Sequence, residues 1–434
     1  MAKLLQSWKF WVPTTFGVGF FLVAAVLLAS YIDQRPADPI ETSTASKVAT
    51  TTQIAGVKRN QLGDPDNSTD WSRQDAIQNE PPSDQVIPAP PAPRLNEPAR
   101  VLLIGGDGAD GNLEYFYPHD PSKNRLLAGS LLTWRSHPIS GMLNGKVVIA
   151  GGMDINGEAL DLTEIFDPLT EFISPGPKML DKRVMAMGGV RGWFNRSGEL
   201  KYNPVEVKQL FVCGGLIDGE PVNTCQFLEE NSNKWQMHPA RMFSNRIAGS
   251  IFSTEGFHLF AAAGLGSDTA PPFHNSTVDG PWRSQLYLTW VFEHFNGATW
   301  QPMNGGLPHT RKHAASATLQ SHMFVCGGET ANGSVLSVCD EFPWHDGAWK
   351  PMARLNIARS SAFMLQFEEK LWVFGGLNEE RQPLASVEVF EYEVGEWLIV
   401  PCGQDCNRPS SEALILHRAA FSAVYLEATN KQIK

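Results

Sequence analysis

The chain has 434 residues, a formal net charge of −11 and a sequence pI near 5.5. A protein this acidic has no long-range electrostatic attraction to nucleic acid or to anionic lipid headgroups, so nucleic acid is excluded as its main ligand. A hydrophobic content of 42%, with 38 glycines and 13 tryptophans, is typical of a globular, turn-rich chain built mostly of strands.

The first predicted element is a membrane-spanning helix within residues 1–32. The stretch 10–32 contains 23 residues and no charge, which is enough for a helix across a hydrocarbon core of ~30 Å. Lys3 and Lys9 precede it and acidic residues follow it, so the positive-inside rule predicts a cytoplasmic N-terminus and a single-pass signal anchor. A cleaved signal peptide is the alternative, although the apolar run is long and no small-x-small cleavage site follows it. Either interpretation places everything after residue 32 on the periplasmic or extracellular side.

Residues 33–98 form the second predicted region, a stalk. They contain ten prolines and one aromatic residue, Trp71, among many Ser, Thr, Asn, Gln and Asp residues. Such a composition cannot bury enough apolar surface to offset the entropy lost on ordering. We therefore expect a disordered, flexible connection between the membrane helix and whatever follows.

From residue 100 onward one strand pattern recurs six times. A short apolar segment ends in two small residues, mostly Gly-Gly, in VLLIGG (101–106), KVVIAGG (146–152), LFVCGG (210–215), LFAAAG (259–264), MFVCGG (323–328) and LWVFGG (371–376). A polar loop and a third strand follow, and a fourth strand often carries an aromatic residue: Trp235, Trp300, Trp349 and, in weaker copies, Phe172 and Trp397. Short strands separated by glycine-rich turns and repeated every ~50–60 residues are typical of four-stranded propeller blades.

These repeats resemble the Kelch family of β-propellers over residues 99–434. The resemblance depends on the Gly-Gly pairs, the downstream tryptophans and an arginine sixteen residues before a glycine pair. The fourth copy departs from the pattern with AAAGLG, and the first lacks a fourth-strand tryptophan at the usual spacing. The resemblance implies an all-β, six-bladed propeller. It does not imply one function, because Kelch propellers serve many purposes.

The two ends of the repeat region are expected to complete one blade. The region opens with RVLLIGG, a second strand that has no first strand before it, and it ends with HRAAFSAVYL, a first strand that has no glycine pair after it. We therefore expect the C-terminal strand from Arg418 to pair with Val101–Ile104 and close the first blade. Closure of this kind leaves no sheet edge between the first and last blades.

Four of the six cysteines occupy matching positions in two repeats. Cys213 and Cys326 end second strands, whereas Cys225 and Cys339 lie in the antiparallel third strands, where facing Cα atoms are roughly 4.5–5.5 Å apart and within disulfide reach. Outside the cytoplasm we predict three disulfides: Cys213–Cys225, Cys326–Cys339 and Cys402–Cys406. Buried free thiols are the alternative. Zinc is not expected, because residues 402–406 lack a second ligand pair, and no other metal or cofactor is predicted.

An arginine begins each repeat: Arg135, Arg183, Arg246, Arg311, Arg359 and Arg418. A propeller brings six equivalent positions to one end of its central channel, the end where the second strands finish. Six guanidiniums at that end predict a binding site for a carboxylate, a phosphate or an acidic loop. The alternative is structural, with the arginines bonded to backbone carbonyls and acidic neighbours between blades.

The loop 264–284 leaves from the same end, is longer than its equivalents and carries Phe273, His274 and Trp282. Aromatic rings beside polar groups suit stacking on sugars or packing against a partner protein, and long loops in compact domains are often functional. With the six arginines, these three residues form the predicted ligand-binding site. Catalytic residues are not identified: Glu329 is an isolated glutamate on the arginine face, and a solvated loop residue is its simpler interpretation.

Two classes of function remain. In the first, a propeller tethered to the membrane by a stalk is a binding module that recruits a protein or glycan partner in the cell envelope. In the second, the domain is a periplasmic sugar epimerase resembling the six-bladed sialic-acid mutarotases, with Glu329 as its acid–base group. The tether and stalk favour the first, because an enzyme acting on small molecules gains little from an anchor. We therefore favour a non-enzymatic role.

Overall fold

The structure of the protein is a computed structural model that describes residues 96–195, 205–254, 258–266, 287–289, 291–320, 322–403 and 406–429. The predicted membrane helix and nearly all of the predicted stalk lie outside these residues. Within the described ranges no helix is long and apolar enough to cross a membrane. The helical element described there is a single 3-10 turn, Pro121–Lys123.

The described chain folds into six four-stranded antiparallel sheets, the blades of a β-propeller. Blade 1 begins with β1 (Arg100–Ile104), β2 (Asn112–Phe116) and β3 (Arg125–Ser130). Blade 2 contains β4 (Ile139–Leu143), β5 (Lys146–Ala150), β6 (Thr163–Asp167) and β7 (Phe172–Pro175). Blade 3 contains β8 (Met187–Asn195), β9 (Val205–Cys213), a short ribbon of β10 (Leu216–Ile217) and β11 (Glu220–Pro221), then β12 (Cys225–Glu229) and β13 (Trp235–Met237).

The second half repeats this arrangement. Blade 4 contains β14 (Ser250–Thr254), β15 (His258–Ala262), a ribbon of β16 (Leu265–Gly266) and β17 (Tyr287–Leu288), then β18 (Glu293–Phe295) and β19 (Trp300–Pro302). Blade 5 contains β20 (Ala315–Leu319), β21 (His322–Cys326), β22 (Cys339–Pro343) and β23 (Lys350–Met352). Blade 6 contains β24 (Phe363–Phe367), β25 (Lys370–Phe374), β26 (Val387–Glu391) and β27 (Glu396–Ile399). The predicted all-β, six-bladed propeller is confirmed.

The last strand, β28 (Ser422–Leu426), lies in blade 1. It pairs antiparallel with β1, with Val101 opposite Tyr425 and Ile104 opposite Ser422. Blade 1 is therefore assembled from both ends of the repeat region. In this arrangement β28 takes the inner position that β4 takes in blade 2.

Apolar side chains fill the spaces between neighbouring blades. The described residues form six clusters of buried apolar side chains, one at each interface between adjacent blades. At the interface between blades 6 and 1, Phe374 and Trp372 pack against Phe116, with the rings of Phe116 and Phe374 5.3 Å apart. Because a fully buried large apolar side chain contributes about 1.5–3 kcal/mol, these interfaces hold the ring together.

Fourth-strand tryptophans reach across to the preceding blade. The Trp235 indole in blade 3 donates a hydrogen bond to the carbonyl oxygen of Pro177 in blade 2, at 3.0 Å. The Trp397 indole in blade 6 does the same to Ala353 in blade 5, at 3.1 Å. These two tryptophans are 4% and 3% exposed, so both of these indoles are buried inter-blade contacts.

Blade 2 differs from blade 6 at its fourth-strand aromatic residue, Phe172, which lies in β7 as predicted. Ile173 pairs with Phe166 at the register where Trp397 pairs with Phe390 in blade 6. Ile173 is buried, whereas Phe172 is 40% exposed. Successive residues of a strand point to opposite faces, so the contact belongs to the neighbouring residue and Phe172 faces solvent.

Candidate functional site

The six repeat arginines are buried, each with 0% or 1% of its surface exposed. In blade 6 the Arg359 guanidinium donates to the carbonyl oxygens of Gly375 (2.7 Å) and Ser386 (3.3 Å) and to the Glu388 carboxylate (2.7 Å). The pairing with an acidic residue on the third strand recurs in four other blades: Arg418–Glu114, Arg135–Glu164, Arg246–Glu293 and Arg311–Asp340. Each guanidinium therefore joins the second and third strands of its own blade.

In blade 3 the buried arginine pairs with an acidic residue at a different position in the sequence. Its third strand carries Gln226 at the position of the acid, and Arg183 pairs instead with Asp181, two residues earlier in the chain, through two contacts of 2.6 Å. The Gln226 amide donates to Asp181 at 2.6 Å. The acidic partner has moved along the sequence, but the arginine remains neutralised and buried.

The main chain of five of the six arginines accepts a hydrogen bond from the preceding blade. The carbonyl oxygen of Arg359 accepts a hydrogen bond from the Gly328 N–H of blade 5, at 2.8 Å, and that of Arg418 accepts one from Gly376 of blade 6, at 2.9 Å. Gly328 has a φ of 91°, and a Cβ at that position would lie 2.7 Å from the carbonyl oxygen of Lys312. Only glycine fits there. One arginine thus connects two blades, and the glycine pair makes the close approach possible.

These contacts correct the prediction that the arginines bind a ligand. Each guanidinium is buried and bonded to carbonyl groups and a carboxylate of its own blade. It is therefore not available to bind a ligand in the channel. The structural alternative fits all six residues. Burial lowers the pKa of Arg418 and raises the pKa of Glu114, and the attraction between the two groups opposes both shifts.

The channel at this end narrows to a ring that sequence reasoning missed. The ring, here called the channel mouth, contains the second residue after each arginine: His137, Met185, Ala248, His313, Ser361 and Ala420. All six have a φ between 50° and 54°. Five backbone hydrogen bonds of 2.5–2.9 Å connect neighbouring members, from His137 through Ala420, Ser361, His313 and Ala248 to Met185. The six peptide groups therefore face one another around the channel axis.

A cavity of about 190 Å³ lies at the channel mouth and the adjoining starts of the inner strands. This volume is smaller than the roughly 300–1,000 Å³ of typical small-molecule sites. It has room for water molecules and little more. The cavity therefore does not resemble a pocket for a sugar substrate.

Two histidines from opposite blades meet at the channel mouth. The rings of His137 and His313 are 6.0 Å apart. Burial lowers the pKa of each to about 4, assisted for His137 by the neighbouring His313. Both imidazoles are consequently neutral at neutral pH.

Glu329, the isolated glutamate of the sequence prediction, lies next to this pair. Its carboxylate is 4.0 Å from His313 Nε2 and 2.6 Å from the Arg381 guanidinium. The side chain is 4% exposed, so it is not the solvated loop residue that the sequence favoured. Burial acts to raise the pKa of Glu329, but the hydrogen bond from Arg381 and the nearby positive charges lower it overall. Glu329 is an ionised group held by Arg381.

The predicted disulfides are confirmed. Cys213 faces Cys225 and Cys326 faces Cys339 in the strand registers, with both Cα–Cα distances at 4.1 Å. Cys402 and Cys406 form the third bond. The four blade cysteines are fully buried within inter-blade clusters, so these bonds belong to the core.

The aromatic residues of the long loop, Phe273, His274 and Trp282, lie outside the described residues. The described flanks show where the loop starts and ends, because β16 pairs with β17 and Leu265 lies opposite Leu288. The loop therefore leaves from the end of blade 4 that carries the glycine pairs. The role of these three residues in ligand binding stays a prediction.

Comparisons with known proteins point to one family of repeats. The Kelch motif matches residues 358–404. Alpha-scruin of Limulus polyphemus is 24% identical over 294 residues, which cover 64% of this chain and 29% of alpha-scruin. An F-box/kelch-repeat protein of Arabidopsis thaliana is 33% identical over 86 residues, or 18% of this chain and 23% of that protein. Kelch-like protein 33 of Homo sapiens is 28% identical over 96 residues, or 22% and 18% of the two chains. The matched region spans less than a third of each relative.

Proposed function

We propose that this chain, which belongs to the Kelch-repeat β-propellers, is a binding module that recruits a protein partner outside the cytoplasm. Residues 1–32 would anchor it in a membrane and 33–98 would hold the propeller away from that membrane. The loop residues Phe273, His274 and Trp282 would contact the partner. No catalytic step is part of the proposal.

The proposal depends on one observation: the charged groups at the glycine-pair end of the channel are buried and bonded within the protein. All six repeat arginines are buried and bonded within the protein, and the peptide groups of the channel mouth bond one another. The cavity there has about 190 Å³, below the usual size of a ligand site. Binding is therefore expected on the outer surface. Neither the family match nor the relatives support a sugar mutarotase.

The cysteines support the proposed compartment. All six cysteines of the sequence are paired in disulfides. Stable structural disulfides are rare in the reducing cytoplasm and common in secreted and periplasmic proteins. This agrees with the apolar segment 10–32, which would carry the rest of the chain out of the cytoplasm.

Affinity capture from host membrane extracts tests the proposal. Full-length protein is compared with a variant in which residues 268–286 are replaced by a glycine–serine linker of equal length. A control variant changes two exposed residues of blade 2, Leu169→Ala and Phe172→Ala. We expect the wild type and the control to capture the same protein in equal amounts. The linker variant should capture at least tenfold less of it. Capture of no protein by the wild type contradicts a binding function, and undiminished capture by the linker variant contradicts the role of the loop.

A further inference from the structure

A cleft lies between blades 5 and 6 at the end of the propeller opposite the glycine pairs. Its volume is about 300 Å³, and its lining residues are Leu319, Gln320, His322, Glu341, Glu369 and Tyr392. His322 begins β21, whereas the glycine pair follows the end of that strand, which fixes the end of the propeller at which the cleft opens. We call it the blade 5–6 cleft.

The blade 5–6 cleft contains two carboxylates and, among its described lining residues, no lysine or arginine. Glu341 bonds His322, and Glu369 is exposed at the turn between β24 and β25. The nearest lysines are engaged elsewhere. Lys350, which pairs with Glu341 in the strand register, has its ammonium 2.5 Å from Asp346.

Lys370, which follows Glu369 in the chain, bonds Glu391 at 2.6 Å. The cleft is therefore left with an excess of negative charge. That charge would favour a cationic side chain from outside.

One tyrosine and one leucine, Tyr392 and Leu319, line the cleft with these carboxylates. Tyr392 lines the cleft and is 47% exposed, and Val394 in the same hairpin is 61% exposed. Burial and then the charge of Glu341 raise the pKa of Tyr392, which is consistent with their sharing one cleft. Tyrosine is enriched at protein interfaces, where it packs against side chains of the partner.

We propose that the blade 5–6 cleft binds an arginine side chain of a protein partner, with Glu341 and Glu369 accepting hydrogen bonds from the guanidinium and Tyr392 stacking on its face. Arginine fits better than lysine because its planar group donates in several directions and stacks on aromatic rings. Val394, in the hairpin that carries Tyr392, would contact an apolar residue beside that arginine. This site goes beyond the proposed function and rests on it only in taking the occupant to be a protein.

The test uses small probes, so it does not depend on knowing the partner. Full-length protein is titrated with N-acetyl-arginine amide, with the isosteric but neutral N-acetyl-citrulline amide as the control ligand, and binding is followed by ligand-observed NMR. We expect saturable binding of the arginine probe at low salt and none of the citrulline probe. The double variant Glu341→Gln, Glu369→Gln should weaken arginine binding at least tenfold. Glu220→Gln, an exposed residue of blade 3, should leave it unchanged, and thermal melts check that both variants fold.

Three outcomes would overturn the proposal: equal binding of arginine and citrulline probes, unchanged binding in the double glutamine variant, or tighter binding of N-acetyl-lysine amide than of the arginine probe. Tyr392→Ala should also weaken binding, and Tyr392→Phe, which keeps the ring, should not. The arginine-binding test can fail or succeed independently of the test of the proposed function. Loss of partner capture with intact arginine binding would contradict the recruitment role alone, whereas the reverse would contradict the cleft alone.

Discussion

At the residue scale, an arginine that begins a blade combines a side-chain contact within its own blade with a main-chain contact to the preceding blade. Arg359 bonds Glu388 of its own blade through its guanidinium and Gly328 of blade 5 through its carbonyl oxygen. Both charged partners are fully buried. A buried pair of this kind gives little net stability compared with apolar residues, but breaking it is costly because one charge is left unpaired.

We therefore predict that Arg359→Ala lowers the free energy of unfolding by about 3–5 kcal/mol. The Glu388 carboxylate would remain buried without its cation. Urea unfolding followed by circular dichroism measures the change, and Arg354→Ala, an exposed arginine of the preceding turn, serves as the control. Equal free energies of unfolding for Arg359→Ala and the wild type would show that the guanidinium does not hold the second and third strands of blade 6 together.

The histidines of the channel mouth predict a dependence of stability on pH. The pKa of His137 and of His313 is about 4 in the folded protein, against an ordinary value of 6.5. Above pH 6.5 both states are neutral at these sites, so the contribution to stability is complete. As the pH falls from 6.5 to 4 the unfolded chain takes up protons first, and stability is lost by at most about 3 kcal/mol per histidine.

Variants with a neutral replacement test this assignment. We expect His137→Gln and His313→Gln each to reduce the loss of unfolding free energy between pH 7 and pH 5. Each measurement is a urea titration at the two pH values. A variant that loses as much stability as the wild type over this interval would show that other groups cause the pH dependence.

The sequence could indicate the arginines but not what they do. Their recurrence showed an equivalent position in each blade, and both a ligand site and an inter-blade contact were consistent with it. The signal that would have decided the question was the acid in the third strand, as in Glu164, Glu293 and Asp340. An acid at the same step of five repeats indicates a partner for the arginine, because an unpaired buried charge is too costly to recur.

At the scale of the elements, strand pairing was predictable where the local pattern was strong. Glycine pairs indicated the second strands, and cysteines at matching positions indicated the register between second and third strands. Blade 2 shows the limit, because Phe172 and Ile173 are both apolar and only the pairing with Phe166 decides which one is buried. The channel mouth was not predictable, since its left-handed backbone is shared by six different residues, among them Met185 and Ser361.

The blade disulfides give a prediction at this scale. The double variant Cys326→Ala, Cys339→Ala should have a free energy of unfolding roughly 3 kcal/mol lower than that of the wild type. The bond joins residues 13 positions apart, and without it the unfolded chain gains conformational entropy. Urea titration under non-reducing conditions measures the difference. Reduction of the unfolded wild-type protein breaks all three disulfides, so it should lower the free energy of unfolding by more than this double variant does. Peptide mapping that finds the four blade cysteines free would contradict the pairing.

Closure of blade 1 gives another prediction. Truncation after His417 removes β28 and leaves β1 without its inner partner, so it exposes a sheet edge and part of the cluster that contains Phe421 and Ala423. We expect this truncation to prevent stable folding or to lower the melting temperature strongly. Truncation after Thr429, which keeps β28, is the control. Equal melting temperatures for the two truncations would show that the ring does not depend on this strand.

At the scale of the whole molecule, the two ends of the propeller differ in what they present. The end with the glycine pairs carries the long loop of blade 4 and a narrow channel mouth. The opposite end carries the blade 5–6 cleft, and β1 begins at that same end, with Asn96 bonded to Thr429 at 3.0 Å. The chain therefore enters the propeller at the end where the cleft opens.

The central claim is that the propeller contacts another protein outside the cytoplasm, and crosslinking on intact cells tests it most directly. An amine-reactive crosslinker that does not pass the cytoplasmic membrane would reach exposed lysines such as Lys178, which is 69% exposed. Crosslinked products are then identified by mass spectrometry of peptides. We predict crosslinks between the propeller and another protein in intact cells. Crosslinks that form only after lysis would contradict the compartment, and an absence of crosslinks to any protein under both conditions would contradict the binding function.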